Sequence, residues 1–198
     1  MMTDTKMAAL KKIDILRAYC DYMEEHLHNV KKAWEIIQVA LKNENVIYND
    51  HLFWTIQRMI EQHDVSKTSS DEFIQYAEWF FGEHGKEWDS VAGGFHEDEH
   101  TALMAAFAGA WEHHKTHNMH HWQTWPTIPE SFPNHHACHI VCMVVDWMAM
   151  GMKLGDTAEQ YYAANKDKID IPEWSMMFLQ DIFVALRENT TTSGKDGG

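Results

Sequence analysis

Apolar side chains recur at Leu16, Tyr19, Met23, Leu27, Val30, Trp34, Ile37 and Leu41, in steps of three and four. That spacing predicts one long amphipathic helix over residues 5 to 42. Residues 50 to 63 predict a second, shorter helix. Ser69-Ser70-Asp71-Glu72 has the form of a capping box and predicts the start of a third helix, Phe73 to Phe81. A Gly- and charge-rich loop, Gly82 to Glu99, then leads to a long fourth helix, His100 to Trp122. Pro126, Pro129 and Pro133 punctuate a second loop. His136 to Leu154 predicts a fifth helix, apolar nearly all round, and residues 157 to 165 and 173 to 187 predict closing helices. Glu188 to Gly198 reads as a disordered polar tail. No alternating strand pattern and no internal repeat is visible. The expectation is a single all-α domain over residues 1 to 187, with about five core helices plus the closing ones.

Composition narrows the function classes. Of 198 residues, 45% are hydrophobic, too many for a disordered chain. Thirty acidic against sixteen basic residues give a formal charge of -14, which argues against nucleic-acid backbones and anionic membranes as partners. The longest apolar run, Ile140 to Met152, is short for a bilayer span, contains Asp146, and reads as a buried helix. No targeting segment is evident. Three cysteines, Cys20, Cys138 and Cys142, show no framework spacing, so a reducing cytoplasm is the expected location. A homo-oligomer is left open.

The chemistry lies in the histidines. There are fifteen, concentrated between His113 and His139. On the predicted fourth helix, Leu103, Phe107, Ala110, His114, Asn118 and His121 share one face, so an inward stripe changes from apolar to imidazole-rich. His113 and His120 point sideways from it. His63-Asp64 at a helix end can ligate one divalent cation, since imidazole nitrogen with carboxylate oxygen suits Zn, Mn, Fe or Co. Asp146 is the only formal charge between His139 and Lys153, and a buried carboxylate needs either a salt-bridge partner, such as Lys67 or an Arg, or a metal. On the first helix His26 sits among Tyr19, Met23, Val30 and Ala33 and faces inward, whereas His28 lies among Glu24, Lys31 and Glu35. Lys67 could contact a substrate phosphate or pair with an Asp. Glu72 could act beside the site as a base, but its capping-box role already accounts for it. Asn118 could orient ligands or substrate. Trp111, Trp122 and Trp125 could line a pocket or simply fill a core, and Cys138 and Cys142 could form a zinc site or plain core.

The order His26, His63-Asp64, His114, His121, Asp146 on consecutive helices resembles the HD superfamily of metal-dependent phosphohydrolases. The resemblance implies His26, His63, Asp64 and Asp146 as the ligands of one metal. It implies His114 with His121, or His120 in its place, as ligands of a second, and Asp64 placed to bridge the two. A closer likeness is to a family of phage and bacterial proteins with an HD-like pattern. It is carried by His63-Asp-Val-Ser-Lys67 with Glu72-Phe-Ile-Gln-Tyr76, by Ala110-Trp-Glu-His-His and Asn118-Met-His-His-Trp122, and by Val145-Asp-Trp147. That family has no established activity. The 18-residue stretch from Gly82 and the Cys138–Cys142 segment depart from its pattern.

What the resemblance implies is a hydrolase acting on a nucleotide or other small phosphoester in the cytoplasm, that of a host cell if the chain is phage-encoded. One or two divalent ions (Mn, Fe, Co, Ni or Zn, with Mg also admissible) would lower the pKa of a bound water and neutralise charge on the phosphate. Asp64, Lys67 and Asn118 would be the catalytic residues. Two alternatives use the same residues: a di-iron oxygenase of the HD type, and a non-enzymatic metal- or partner-binding protein.

Overall fold

The computed structural model describes residues 3–47, 49–89, 96–127 and 133–193. It is all-α, with no strand among the described residues. The helices are α1 (Asp4–Asn43), α2 (Asp50–Glu61), α3 (Phe73–Phe81), α4 (Glu97–His117), α5 (Pro133–Leu154), α6 (Ala158–Asn165) and α7 (Glu173–Ser193). Short 3-10 turns cover Val65–Thr68, Trp122–Thr127 and Lys166–Lys168.

Two elements end differently from the sequence expectation. α4 stops at His117, not near Trp122, because Asn118 leaves helical geometry and its side-chain amide bonds the His114 carbonyl at 2.8 Å. His120 and His121 therefore lie in the following turn and not on the helical stripe. α7 runs through Ser193 into the stretch expected to be a tail; residues 194–198 lie outside the described residues, as does Pro129 of the second loop.

Within this all-α arrangement the contacts divide the chain into two compact units. The first comprises Met1–Glu25 and Asp64–Asn118, the second His26–His63 and Met119–Gly198. Each has its own core. In the first, α3 packs on α4, and Tyr19, Met23, Tyr76, Ala77 and Ala110 are buried with Phe73, Phe80 and Phe107 against them. In the second, α5 is the central helix and packs on α2, α6 and α7. Its core is aliphatic, with Ile37, Ile56, Ile140, Val144, Leu179 and Ile182 fully buried. Ala137–Leu154 has the length and hydropathy of a membrane span, yet most of that window is buried, as in a core helix. α5 ends where Gly155 takes a left-handed φ of 88°, a conformation that favours glycine.

The α1 stripe is real but shifted. Tyr19, Met23, Val30, Trp34, Ile37 and Leu41 are buried, whereas Leu27 is 41% exposed and His26 takes its place. A buried imidazole thus replaces the leucine the pattern predicted.

Candidate metal centre

In the second unit, three side chains from three elements converge. His26 comes from α1, His63 from the end of the α2 segment and Asp146 from the middle of α5. Each offers one ligand-type atom, and these lie within 4.8 Å of one another. The Nε2 atoms of His26 and His63 each stand 3.4 Å from Asp146 Oδ1. That is long for an N–H···O hydrogen bond. It fits two donors on one cation: with metal–ligand bonds of about 2.1 Å, tetrahedral geometry separates ligand atoms by about 3.4 Å. His26 and His63 are buried, and the Asp146 side chain is 20% exposed. Burial pushes the Asp146 carboxyl up, but the imidazoles of His63, His120 and His26 more than reverse this and hold it well below the usual carboxylate range. His120, also buried, stacks on His63 with ring centroids 4.2 Å apart, and His121 lies against His120 at the same distance.

The first unit holds a second constellation. Asp64 takes the left-handed region, φ 58°, which Asp tolerates better than most residues, and its carboxylate is buried. Asp64 Oδ2 accepts from Lys67 Nζ at 2.5 Å, while Oδ1 stands 3.4 Å from His114 Nε2. Glu72, fully buried, receives His113 Nδ1 at 2.7 Å and His114 Nδ1 at 2.8 Å, one on each oxygen. Burial pushes the His114 pKa down, so its imidazole is neutral near pH 7. A neutral imidazole with its proton on Nδ1, facing Glu72, has a lone pair on Nε2. That lone pair faces the Asp64 oxygen. In that tautomer Nε2 can serve as a ligand beside Asp64, and Glu72 is placed to select it. Asn118 steadies the same helix end, donating to the His114 carbonyl and, at 2.7 Å, to Ser66 Oγ.

These buried His and Asp groups can hold a metal ion. Residues 16–188 match the model of a family described as a family of unknown function, DUF5662. The chain belongs to the DUF5662 family. No curated protein and no solved structure matches it.

All the candidate ligands of this DUF5662 chain fall inside the matched span. His26, His63 and Asp146 come together in one unit, and Asp64, Lys67, His114 and Asn118 in the other. His28 is exposed, as its polar neighbours implied. Of the two alternatives in the Asn118–Trp122 stretch, His120 is the one stacked on His63, while His121 is half-buried. Lys67 does pair with an Asp, but with Asp64; the partners of Asp146 are histidines. Glu72 corrects the sequence reading. As the N-cap residue of α3 it makes no side-chain cap bond, so the predicted capping box does not form and the carboxylate is spent on His113 and His114. The signal that could have found it is positional: Glu72, Tyr76 and Phe80 follow at steps of four on one inward face. Trp125 is core, and Trp111 stacks on His114 at 5.8 Å. Cys138 and Cys142 are buried in the second core and form no disulfide; burial pushes Cys138 up to about 11 and Cys142 higher still, which suits neutral core residues.

Proposed function

We propose that the chain is a metal-dependent phosphohydrolase acting on a nucleotide or another small phosphoester. The observation that carries the reading is the repeated clustering of imidazole nitrogen and carboxylate oxygen at 3.4 Å, His26 and His63 with Asp146 and His114 with Asp64, among buried groups able to hold a metal ion. The peptide bond between His63 and Asp64 joins these two sets in the chain. Together with their order along the sequence, this supports the likeness to the HD superfamily.

A bound divalent ion supplies Lewis acidity, bringing the pKa of a coordinated water toward neutrality and offsetting negative charge on a phosphate. The chain's own residues prepare that chemistry. His26, His63 and Asp146 present ligand atoms from three elements, with His120 stacked behind His63. Glu72 holds the Nδ1 proton of His114 and so keeps Nε2 available as a ligand. Asn118 fixes the helix end that carries His114. Lys67 places a cation beside Asp64, where a phosphate oxygen could share it.

The test is phosphate release from a panel of nucleotides and phosphomonoesters with Mn, Co, Fe, Ni and Mg. Turnover by the wild type, abolished in His63→Ala, is expected. No release from any substrate with any of these metals would overturn the reading, and oxygen-dependent turnover of an iron-loaded protein would replace it with the di-iron oxygenase.

A further inference from the structure

The first unit contains two polar atoms that its packing does not explain. Tyr19 is fully buried and Tyr76 is 5% exposed, and the hydroxyl oxygen of each is buried with no hydrogen-bond partner among the described residues. A buried Tyr hydroxyl ordinarily finds a partner, and leaving one without costs about 1–3 kcal/mol. The neighbourhood has no need of hydroxyls. Phe73 meets the Tyr19 ring edge-on at 5.2 Å, and Phe107 meets Tyr76 in the same way at 5.2 Å, so phenylalanine packs well in this core. The two tyrosines lie side by side, centroids 6.4 Å apart, and Lys67 Nζ sits 5.8 Å from the Tyr76 ring centre.

We propose that Tyr19, Tyr76 and Lys67 form an oxyanion subsite that receives the non-bridging oxygens of a phosphoryl group. Two phenol O–H groups and an ammonium are all donors, and a phosphoryl group offers several acceptor oxygens. Burial, together with the carboxylates of Asp64 and Glu72, pushes both phenols up, so they remain protonated donors throughout the neutral range. The same carboxylates oppose a bare anion, so the subsite rests on the reading above: an ion at Asp64 must supply compensating charge. Lys67 already stands beside Asp64 and can donate to both.

The test compares wild type with Tyr19→Phe, Tyr76→Phe and the double variant, each the full chain in the presence of Mn. Inorganic phosphate is titrated by calorimetry, with metal content and Tm measured in parallel. The expected result is a phosphate Kd raised about tenfold or more in the double variant, with metal content unchanged and Tm equal or higher, since a buried donor without a partner is removed. Equal phosphate affinity in wild type and double variant would overturn the subsite, as would the absence of phosphate binding by the wild type. The two proposals fail separately. Phosphoester turnover with unchanged KM in the double variant would remove the subsite and keep the hydrolase. Phosphate binding that the substitutions weaken, without any turnover, would keep the subsite and remove the hydrolase.

Discussion

Glu72 shows how much one carboxylate can organise. Both its oxygens are engaged, by His113 and His114, and it is fully buried. Replacing it by Ala leaves two imidazole N–H groups without their acceptor and removes the constraint on the His114 tautomer. Glu72→Ala should therefore lose about 1–3 kcal/mol of stability. Metal affinity at the Asp64–His114 pair should fall by about 10- to 100-fold, the usual effect of losing a group that orients a ligand. Glu72→Gln keeps one acceptor oxygen and should do less damage; metal titration and thermal melts of both variants check the order. This residue was hard to read in the sequence because two local rules compete there. Ser69 to Glu72 satisfies the capping-box spacing, while Glu72 also extends the inward face of Tyr76 and Phe80. Tertiary partners decided the contest, and those partners, His113 and His114, lie some forty residues away. His26, by contrast, was legible, because its flanking side chains on the same helix already separated it from His28.

At the scale of elements, periodicity located the helices well and their ends less well. α4 has no Gly or Pro near its end, so nothing in the composition stops it; the stop is an Asn118 amide turning back on the His114 carbonyl. The α1 stripe makes a direct test of register. Ile37 is fully buried, so Ile37→Ala should cost about 2–5 kcal/mol, whereas exposed Leu27→Ala should change stability by no more than about 0.5 kcal/mol. Denaturant unfolding of the two variants checks this; equal effects would mean the stripe runs through Leu27. The thiols of α1 and α5 should differ just as clearly. Cys20 is exposed, while Cys138 is buried with its pKa pushed up to about 11 and Cys142 is buried too. Because the thiolate is the reactive form, iodoacetamide at pH 8 should modify Cys20 alone in the native protein and all three after denaturation. Mass spectrometry after brief labelling reads the sites directly.

For the whole molecule, the division into two units was not visible in the sequence. In the sequence the apolar spacing of α1 runs on from Met23 through Leu27 to Val30, and only contacts between distant segments separate an aromatic core from an aliphatic one. His26, His63 and Asp146 belong to the second unit, and Asp64, Lys67, His114 and Asn118 to the first. Ligand binding to the folded state should then stabilise the protein as a whole: at a metal concentration 100 times Kd the gain is about 2.7 kcal/mol, seen as a rise in Tm that chelation reverses. The most direct measurement is elemental analysis of the protein made without a His-tag, alongside His63→Ala and Asp146→Asn. The account predicts one or two equivalents of a divalent transition metal in the wild type and a loss of metal in both variants. A wild type that holds no divalent metal after growth and purification with added Mn, Fe, Co, Ni and Zn, and whose Tm is unchanged by chelation, would contradict it.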